Sequence, residues 1–462
     1  MVNKLAWLIY LGITIFLFWF IIFQAKIEPA GDIAEYFGIT ESLINHQSLE
    51  LTTKDQKNLS QSLHPDYFQD PGYYIEGVNR KKYPVHFVFY SVLAVPVRLG
   101  LRFFRLDQLK TLAVTNLIIF SLIIFLVMRF FLKSSWQKIL FLALIYLSPL
   151  VFFLTWPGPD IFYLSLLLLA VYLFYSHKYF LSALLVVLAS WHSQPLIALA
   201  GSSILVFFIK KRNLPRTLFL VFLIAIPYIY NYLAFGVLTP WTIFADGWTT
   251  LHGFGLQNVS LKKLYEQLFD LNIGLFWYAP LISLAGFYYV TRRSFWISLL
   301  ILLTALIYQT NPAWHYGTAG FGPTRHILFV LPILIFFITR NLKFNFTNFN
   351  LVGLIITSQL FVLSSNGFIS PNFQNSLRQN ALATFVLDNY PKFYQPTPEI
   401  FVDRTNQTDL KYPTSAIYKK AGFCQKAYVL KQDAGKLISE CGFLPVDWLW
   451  VQADREGYYV DF

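Results

Sequence analysis

Two acidic residues stand directly after the first long apolar run of the sequence. Asp32 and Glu35 are separated by three positions, and Tyr36 follows them. If a helix begins here, Asp32 lies at its N-cap and Glu35 one turn later, so both carboxylates face the same way. A carboxylate so placed can orient or deprotonate a hydroxyl or an amine. The alternative is a capping box, in which the same spacing only completes the first helical turn.

A third acid and a histidine occupy short turns between later apolar runs. Asp160 follows Pro159 and precedes a long apolar run, and His192 lies in the turn that ends at Pro195. If the apolar runs cross a membrane, a carboxylate between two of them is energetically costly unless it has a partner. Asp160 is therefore a candidate catalytic residue. The alternative is that Asp160 only marks the start of the next helix.

Basic residues follow the acids of the first loop. Lys82, Arg98 and Arg102 surround Tyr83 and His86, which are candidate substrate-binding residues. In membrane proteins, Lys and Arg are usually enriched in cytoplasmic loops, so basic side chains on the outer side need an explanation. Binding of an anionic head group or a diphosphate would supply one. We therefore expect a phosphate contact from at least one of the three. The alternative is that they only extend to the membrane surface.

A second candidate binding segment spans residues 311–326. It contains Trp314, His315, Tyr316, Arg325 and His326. Aromatic rings suit sugar rings, while an arginine with two histidines offers contacts to phosphate. An interfacial aromatic belt would explain the Trp and Tyr, but not the Gly-Pro-Thr-Arg-His run that ends the segment.

Composition identifies the environment of these residues. The chain has 462 residues, of which 56% are hydrophobic and 13% charged, whereas a soluble domain has roughly 25% charged residues. A water-soluble globule is therefore excluded, and many membrane spans are expected, since each uses only about 20 apolar residues. The net charge of +12 is typical of basic cytoplasmic loops, so nucleic acid is not expected as a partner.

Apolar runs divide the chain into about eleven predicted spans, with the first retained rather than cleaved as a signal peptide. The sequence thus predicts an all-α polytopic protein with a membrane domain over residues 1–366. The spans are 5–23, 110–132, 137–156, 161–176, 179–191, 195–209, 215–235, 274–291, 295–310, 326–340 and 350–366.

One further apolar segment, residues 84–99, decides the topology. Its sequence PVHFVFYSVLAVPVRL is short and contains two prolines, so we interpret it as a juxtamembrane or re-entrant helix within an external loop 24–109. The basic clusters of the later loops then all share the cytoplasmic face, as the positive-inside rule requires. The candidate reactive residues lie on the opposite, extracytoplasmic side.

The tail, residues 367–462, differs from the rest of the chain. Apolar runs stop there, and short alternating stretches at Ala427–Leu430 and Trp448–Val451 predict strands. We expect a small extracytoplasmic α/β domain. Its two cysteines, Cys424 and Cys441, form a disulfide if the compartment is oxidising, or remain two buried thiols.

Cofactor motifs are missing from the sequence. It contains no HExxH, no paired CxxC, no P-loop and no dinucleotide fingerprint. A soluble nucleotide bound in a cytoplasmic domain is therefore not expected as the energy donor.

In this arrangement the chain resembles the GT-C superfamily of membrane glycosyltransferases, and within it the bacterial aminoarabinose transferases and protein mannosyltransferases. The resemblance covers residues 1–366 in the order of features. Its more specific part is Gly274-Leu-Phe-Trp-Tyr-Ala-Pro280 together with Gly322-Pro-Thr-Arg-His326. It implies that Asp32 serves as base or orients the acceptor and that Asp160 is a second acid. Where many members carry Lys or Arg after the fifth span, this chain has His192.

The resemblance also implies a reaction. A sugar would pass from a polyprenyl-phosphate donor to a lipid, glycan or protein acceptor at a bacterial cell membrane. Phosphate contacts are expected from Lys82, Arg98, His192, Arg325 and His326. In some members a divalent metal bridges phosphate and acid, and Asp32, Asp160 and a histidine offer ligands for one.

Members of this superfamily usually invert the configuration of the transferred sugar, so one carboxylate acting as base suffices. Two other classes of function remain open from the sequence. One is a transporter or flippase for a lipid-linked saccharide, which would need charged residues at mid-membrane and access from both sides. The other is a glycan polymerase or ligase that uses the whole lipid-linked oligosaccharide. The predicted spans contain few ionisable residues near their centres, which disfavours the transporter.

Overall fold

The computed structural model describes most of the chain. Predicted features that fall in its gaps, such as the strand at Trp448–Val451, lie outside the described residues. The described ranges are 2–27, 32–63, 74–156, 158–238, 255–311, 314–343, 345–368, 371–408, 414–442 and 457–462.

The first half of the chain is a succession of helices interrupted by one small hairpin. The hairpin pairs β1 (Tyr74–Glu76) with β2 (Lys82–Pro84) in antiparallel register. The helices are α1 (Val2–Trp19), α2 (Ile33–His46), α3 (Thr53–Ser62), α4 (Phe89–Phe103), α5 (Thr111–Phe130), α6 (Ser135–Tyr146), α7 (Asp160–Tyr175), α8 (Tyr179–Ser190), α9 (Ile197–Lys211) and α10 (Leu214–Phe235).

The second half continues the helical region and ends in a small sheet. Its helices are α11 (Leu261–Phe269), α12 (Leu275–Tyr278), α13 (Pro280–Arg293), α14 (Phe295–Tyr308), α15 (Val330–Asn341), α16 (Phe346–Ser365), α17 (Ala381–Asn389), α18 (Pro398–Asn406) and α19 (Ala434–Cys441), and its strands are β3 (Ala416–Lys420), β4 (Phe423–Leu430) and β5 (Gly457–Asp461).

Local sequence explains where several helices begin and end. Capping boxes start α3, between Thr52 and Asp55, and α6, between Ser134 and Gln137. Helix α10 ends at Phe235 and is capped by Gly236, whose φ of 74° is the left-handed conformation that glycine adopts without strain.

Side-chain burial distinguishes the central helix α7 from peripheral helices such as α1 and α10. Almost every described side chain of α7 is buried, and this helix packs against α5, α8 and α15. Helices α1 and α10 instead expose large apolar side chains such as Leu8 and Leu233, as expected for helices that face lipid. Asp160 therefore begins a helix that is enclosed by others along almost its whole length.

Five helical segments of the described chain are long and apolar enough to cross a membrane. They give the chain its multi-pass character. The segments are Lys4–Gln24, Gln108–Phe130, Gln194–Lys211, Leu214–Phe235 and Asn348–Ser365.

The prediction of eleven spans is not confirmed, because the other six apolar runs form shorter helices. The run 137–156 stays helical only to Tyr146, and a 3-10 turn begins at Pro149. The run 274–291 is divided between α12 and α13 at Pro280. A helix of 12 residues such as α6 is only about 18 Å long, less than the roughly 30 Å of a hydrocarbon core.

The helix predicted over residues 84–99 is present but shifted. It begins at Phe89 and ends at Phe103, because Pro84 still belongs to β2 and His86 is bonded to Glu35. One face of this helix, α4, buries Tyr90, Ala94 and Arg98, while other positions expose apolar side chains.

In the described part of the tail, three strands form an antiparallel sheet in the order β3, β4, β5. Strand β4 includes the predicted strand Ala427–Leu430, which is thereby confirmed. Small apolar clusters separate from the main core pack around this sheet. Cys424 on β4 and Cys441 at the end of α19 form a disulfide, so the alternative of two free thiols does not apply.

Candidate active site

A cavity of about 180 Å³ opens at one end of the helical bundle. The start of α2, the start of α7, the turn before α9 and the segment before α15 all contribute to its walls. The site residues predicted from the sequence that line it are Asp32, His86, Asp160, His192, Arg325 and His326.

Asp32 lies between two cationic side chains. Its Oδ2 atom is 3.8 Å from Nε2 of His86 and 3.9 Å from a terminal nitrogen of Arg325. Its backbone carbonyl accepts from the backbone N–H of Glu35, but its side chain makes no cap hydrogen bond to α2. The carboxylate therefore faces the cavity rather than the helix, and a capping box does not account for it.

Glu35 does not line the cavity but holds His86, which does. It is fully buried, and its carboxylate accepts from the backbone N–H and from Nδ1 of His86, each at 2.6 Å. Burial disfavours the charged ring, but the carboxylates of Glu35 and Asp32 outweigh it and raise the pKa of His86 to about 9. His86 is thus a cation at neutral pH.

Arg325 is fixed by the turn that precedes it. Its backbone N–H donates to the carbonyl of Gly317 at 3.0 Å. Gly317 has a φ of 76°, and a Cβ atom there would lie 2.7 Å from Cδ of Arg325, so the turn requires glycine. Burial opposes the charge of the guanidinium, but Asp160 and Asp32 raise its pKa above the ordinary value. Arg325 is a permanent cation of this cavity.

Asp160 is almost completely buried beside the cavity. The hydroxyl of Tyr163 donates to its Oδ1 at 2.9 Å, while its Oδ2 has no partner among the described residues. A Cβ on Gly158 would lie 2.9 Å from that oxygen. Asn116 fixes the same turn, since its amide donates to the carbonyl of Gly158 at 3.1 Å.

His192 contributes a neutral donor rather than a charge. Its Nε2 accepts from the backbone N–H of Tyr90 at 3.1 Å, which places the proton of a neutral ring on Nδ1. Burial, with His86 nearby, lowers its pKa to about 3. His326 is also held by the backbone, since its Nδ1 lies 2.7 Å from the carbonyl oxygen of Trp314.

Two predicted phosphate-binding residues lie away from the cavity. Lys82 is exposed on β2. Arg98 is fully buried, and its guanidinium is 3.2 Å from Glu41. Tyr83 also lies elsewhere, with its hydroxyl accepting from Asn79. The structure therefore brings neither Lys82 nor Arg98 to Asp32.

The aromatic residues predicted to bind substrate lie behind the cavity wall. Trp314 is fully buried, and its ring lies under the ammonium group of Lys263. His315 is 3.2 Å from Asp403 of the tail. Tyr316 contributes, with His315, to a much smaller pocket of about 20 Å³. These side chains support the segment that carries Arg325 rather than lining the cavity themselves.

Several cavity residues were missed by sequence reasoning. Tyr163 follows Asp160 by one helical turn, a spacing that could have indicated the hydrogen bond between them. Asn231 is a buried polar residue within the apolar helix α10, which is itself a signal of function. Ser193 and Tyr308 share a short hydrogen bond, but they are too distant in sequence for any local pattern to pair them.

The donor set does not fit a divalent metal. No group of three or more His, Cys, Asp or Glu side chains placed to hold a metal ion is found in the described part of the chain. The carboxylate of Asp32 lies 3.8 Å from the ring of His86 and 3.9 Å from the guanidinium of Arg325, which supply positive charge without an ion.

Comparison with protein-family models, with curated proteins and with solved structures finds no match to this chain.

Proposed function

We propose that the protein is a membrane glycosyltransferase that moves a sugar from a polyprenyl-phosphate donor to an acceptor on the extracytoplasmic side. The observation that carries the proposal is the position of Asp32, whose carboxylate faces a cavity between the cations His86 and Arg325. One acid beside two cations suits a reaction that removes a proton from an acceptor and releases an anionic phosphate.

Asp32 would act on the acceptor. A hydroxyl or amine of the acceptor donates to the carboxylate and attacks the anomeric carbon of the donor sugar. The new bond joins acceptor and sugar, the bond between sugar and phosphate breaks, and the proton passes to Asp32. The configuration at the anomeric carbon is inverted, because a single displacement uses a single base.

Arg325 and His86 would stabilise the leaving group. As the bond to phosphate breaks, negative charge builds up on the polyprenyl phosphate, and fixed cations in a partly enclosed cavity favour that charge. The neutral ring of His192 supports this role with a hydrogen-bond donor that no described residue uses. The charge of the buried Asp160 further favours the charged form of Arg325.

The walls of the cavity suit a sugar ring. Trp191 and Phe87 line it, with ring centroids 5.1 Å apart, and aromatic faces pack against the C–H groups of sugars. Asn231 and Gln194 add polar groups that can bond sugar hydroxyls. Helix α10, which contributes Asn231, exposes apolar side chains such as Leu233, where a lipid chain can lie.

Transfer by the purified protein tests the proposal. The protein is incubated with a synthetic polyprenyl-phosphate sugar and a membrane extract as the source of acceptors. We expect Asp32→Asn to lower the rate by roughly 10²- to 10⁴-fold, the usual contribution of a general base. Glu76→Gln, which changes an exposed acid on β1, serves as the matched control and should leave the rate unchanged. Full activity of Asp32→Asn would contradict the assigned role.

A further inference from the structure

A second cavity lies at the opposite end of the bundle from Asp32. It has a volume of about 550 Å³ and is lined by the turn between α7 and α8 and the turn between α9 and α10. Helix α8 runs from this cavity toward His192, and α9 returns from the Asp32 end to Lys211. The two cavities are therefore separated by the length of these helices.

The walls of this second cavity carry positive charge only. Lys178, Lys211 and Arg216 line it, and none of the described Asp or Glu residues does. The sequence contains no Asp or Glu between residues 161 and 245, so neither of the two turns that form the cavity supplies a neutralising carboxylate. The charge bias of cytoplasmic loops explains basic residues in general. It does not explain why two separate turns bring them to one cavity.

The floor of the cavity is apolar. Phe180 and Phe207 contribute to it, and the guanidinium of Arg216 lies 5.3 Å from the centre of the Phe180 ring. The neighbouring surface of α9 exposes Leu205 and Ile209, as expected for a surface that contacts acyl chains. Charge at the rim and apolar surface beside it suit a ligand that is itself amphipathic.

We propose that this cavity binds the phosphate-bearing head group of an anionic membrane lipid from the leaflet opposite the Asp32 cavity. Basic pockets between helices are a known way for membrane proteins to bind such head groups. The volume is within the range of roughly 300–1,000 Å³ that small-ligand pockets have. The proposal is independent of sugar transfer, because none of its residues lines the first cavity.

Native mass spectrometry of the purified full-length protein tests this site. The protein is titrated with phosphatidylglycerol and, separately, with zwitterionic phosphatidylcholine. We expect the anionic lipid to be retained more strongly, and Lys211→Gln/Arg216→Gln to weaken its binding by roughly fivefold to thirtyfold, as expected for the loss of two cations at an anionic surface. The charge-conserving pair Lys211→Arg/Arg216→Lys should retain binding, which separates lost charge from a folding defect.

A second pair of substitutions distinguishes a defined site from general attraction. Lys133 and Arg292 are exposed basic residues that do not line the cavity, so Lys133→Gln/Arg292→Gln should change binding by less than about twofold. An equal loss in this control pair would overturn the proposal, as would equal retention of the two lipids. Displacement of the lipid by millimolar inorganic phosphate alone would also overturn it, because the site would then take a free anion.

Discussion

At the scale of single residues, the charge of His86 links the structure to a pH dependence. The pKa of this ring is raised to about 9 by Glu35 and Asp32 against the effect of burial, so the ring is charged below that pH and loses its charge above it. Because the positive charge is proposed to stabilise the leaving phosphate, kcat/KM should fall as the pH rises through about 9.

Substitution of Glu35 tests the cause of this dependence. Glu35→Gln keeps an acceptor for the backbone N–H of His86 but removes the negative charge that raises the pKa of its ring. The fall in kcat/KM should then begin at a lower pH, closer to the ordinary histidine value of roughly 6.5. The pH profiles of the two proteins measure this shift. Superimposable profiles would show that His86 does not supply the charge.

Sequence reasoning found some residues of the site and misplaced others, and the difference has a physical basis. Asp32 and Asp160 each follow or precede a long apolar run, so their position at a membrane surface can be predicted from local sequence. Arg98 looked equally suitable for phosphate. Its partner Glu41 lies 57 positions away, and no local pattern reveals such a pair.

At the scale of helices, the ion pairs of Glu41 connect α2 to α4. Its carboxylate accepts from Arg98 at 3.2 Å and from Arg102 at 3.1 Å, and both Glu41 and Arg98 are buried. Since α2 carries Asp32 at its start and α4 follows His86, this contact fixes the distance between two site residues.

Removal of the shared acid should destabilise the protein. Glu41→Gln leaves the buried Arg98 without its counter-charge, which costs about 3–5 kcal/mol in comparable buried pairs. Lys81→Ala breaks only the surface pair with Glu50 and should leave the melting temperature nearly unchanged, because exposed ion pairs contribute little to stability. Thermal unfolding in detergent compares the two variants. Equal melting temperatures would contradict the structural role given to Glu41.

The positions of helices were easier to predict than their lengths. Hydrophobicity places a helix in each of the eleven apolar runs, but a run remains hydrophobic where the backbone stops being helical. Pro149 and Pro280 are examples. Both lie inside predicted spans, and each begins a new helical segment. The start of α4 was misjudged because Pro84 pairs in β2, and short polar strands of this kind leave little signal in a sequence.

At the scale of the whole molecule, the tail supports the segment that carries Arg325. Ile400 of α18 packs against the buried Trp314, and Asp403 of the same helix contacts His315. Lys263 of α11 pairs with Glu399 at 3.1 Å. The α/β tail predicted from composition is therefore packed against the helical region, a contact that composition alone could not reveal.

A buried acid makes this contact sensitive to pH. Glu266 of α11 accepts from the backbone N–H of Thr397 at 2.6 Å, and burial, together with Asp270, raises its pKa from 4.5 to about 8. Between pH 4.5 and about 8, Glu266 is therefore protonated in the folded state and ionised in the unfolded state. The stability that this proton contributes is complete below pH 4.5 and is lost as the pH rises through about 8.

We expect the wild-type protein to melt at a lower temperature at pH 9 than at pH 6, by roughly 3 °C or more. Glu266→Gln keeps the acceptor for Thr397 without a titrating group, so the difference should become smaller. Glu440→Gln is the matched control, because it changes a partly exposed ion pair with Lys419 in the tail. This variant should retain the full difference in melting temperature between pH 6 and pH 9. A Glu266→Gln variant with the full wild-type difference would show that another group is responsible.

The distribution of charge supports one orientation for the whole chain. All 24 acidic residues lie within segments 24–109, 156–160, 236–273 and 367–462, which include the loop and the tail that the sequence predicts to be extracytoplasmic. The disulfide between Cys424 and Cys441 agrees with this assignment, because disulfides persist in oxidising compartments.

Labelling across the membrane tests whether Asp32, Asp160 and Arg325 share a cavity that faces away from the cytoplasm. Cysteines introduced by Asp107→Cys, beside the start of α5, and Lys211→Cys, at the end of α9, are treated with a membrane-impermeant maleimide on intact cells. The native cysteines are joined in a disulfide and do not react. We expect labelling at position 107 from outside and at position 211 only after permeabilisation. Labelling of position 211 on intact cells, or of both positions from the same side, would contradict it.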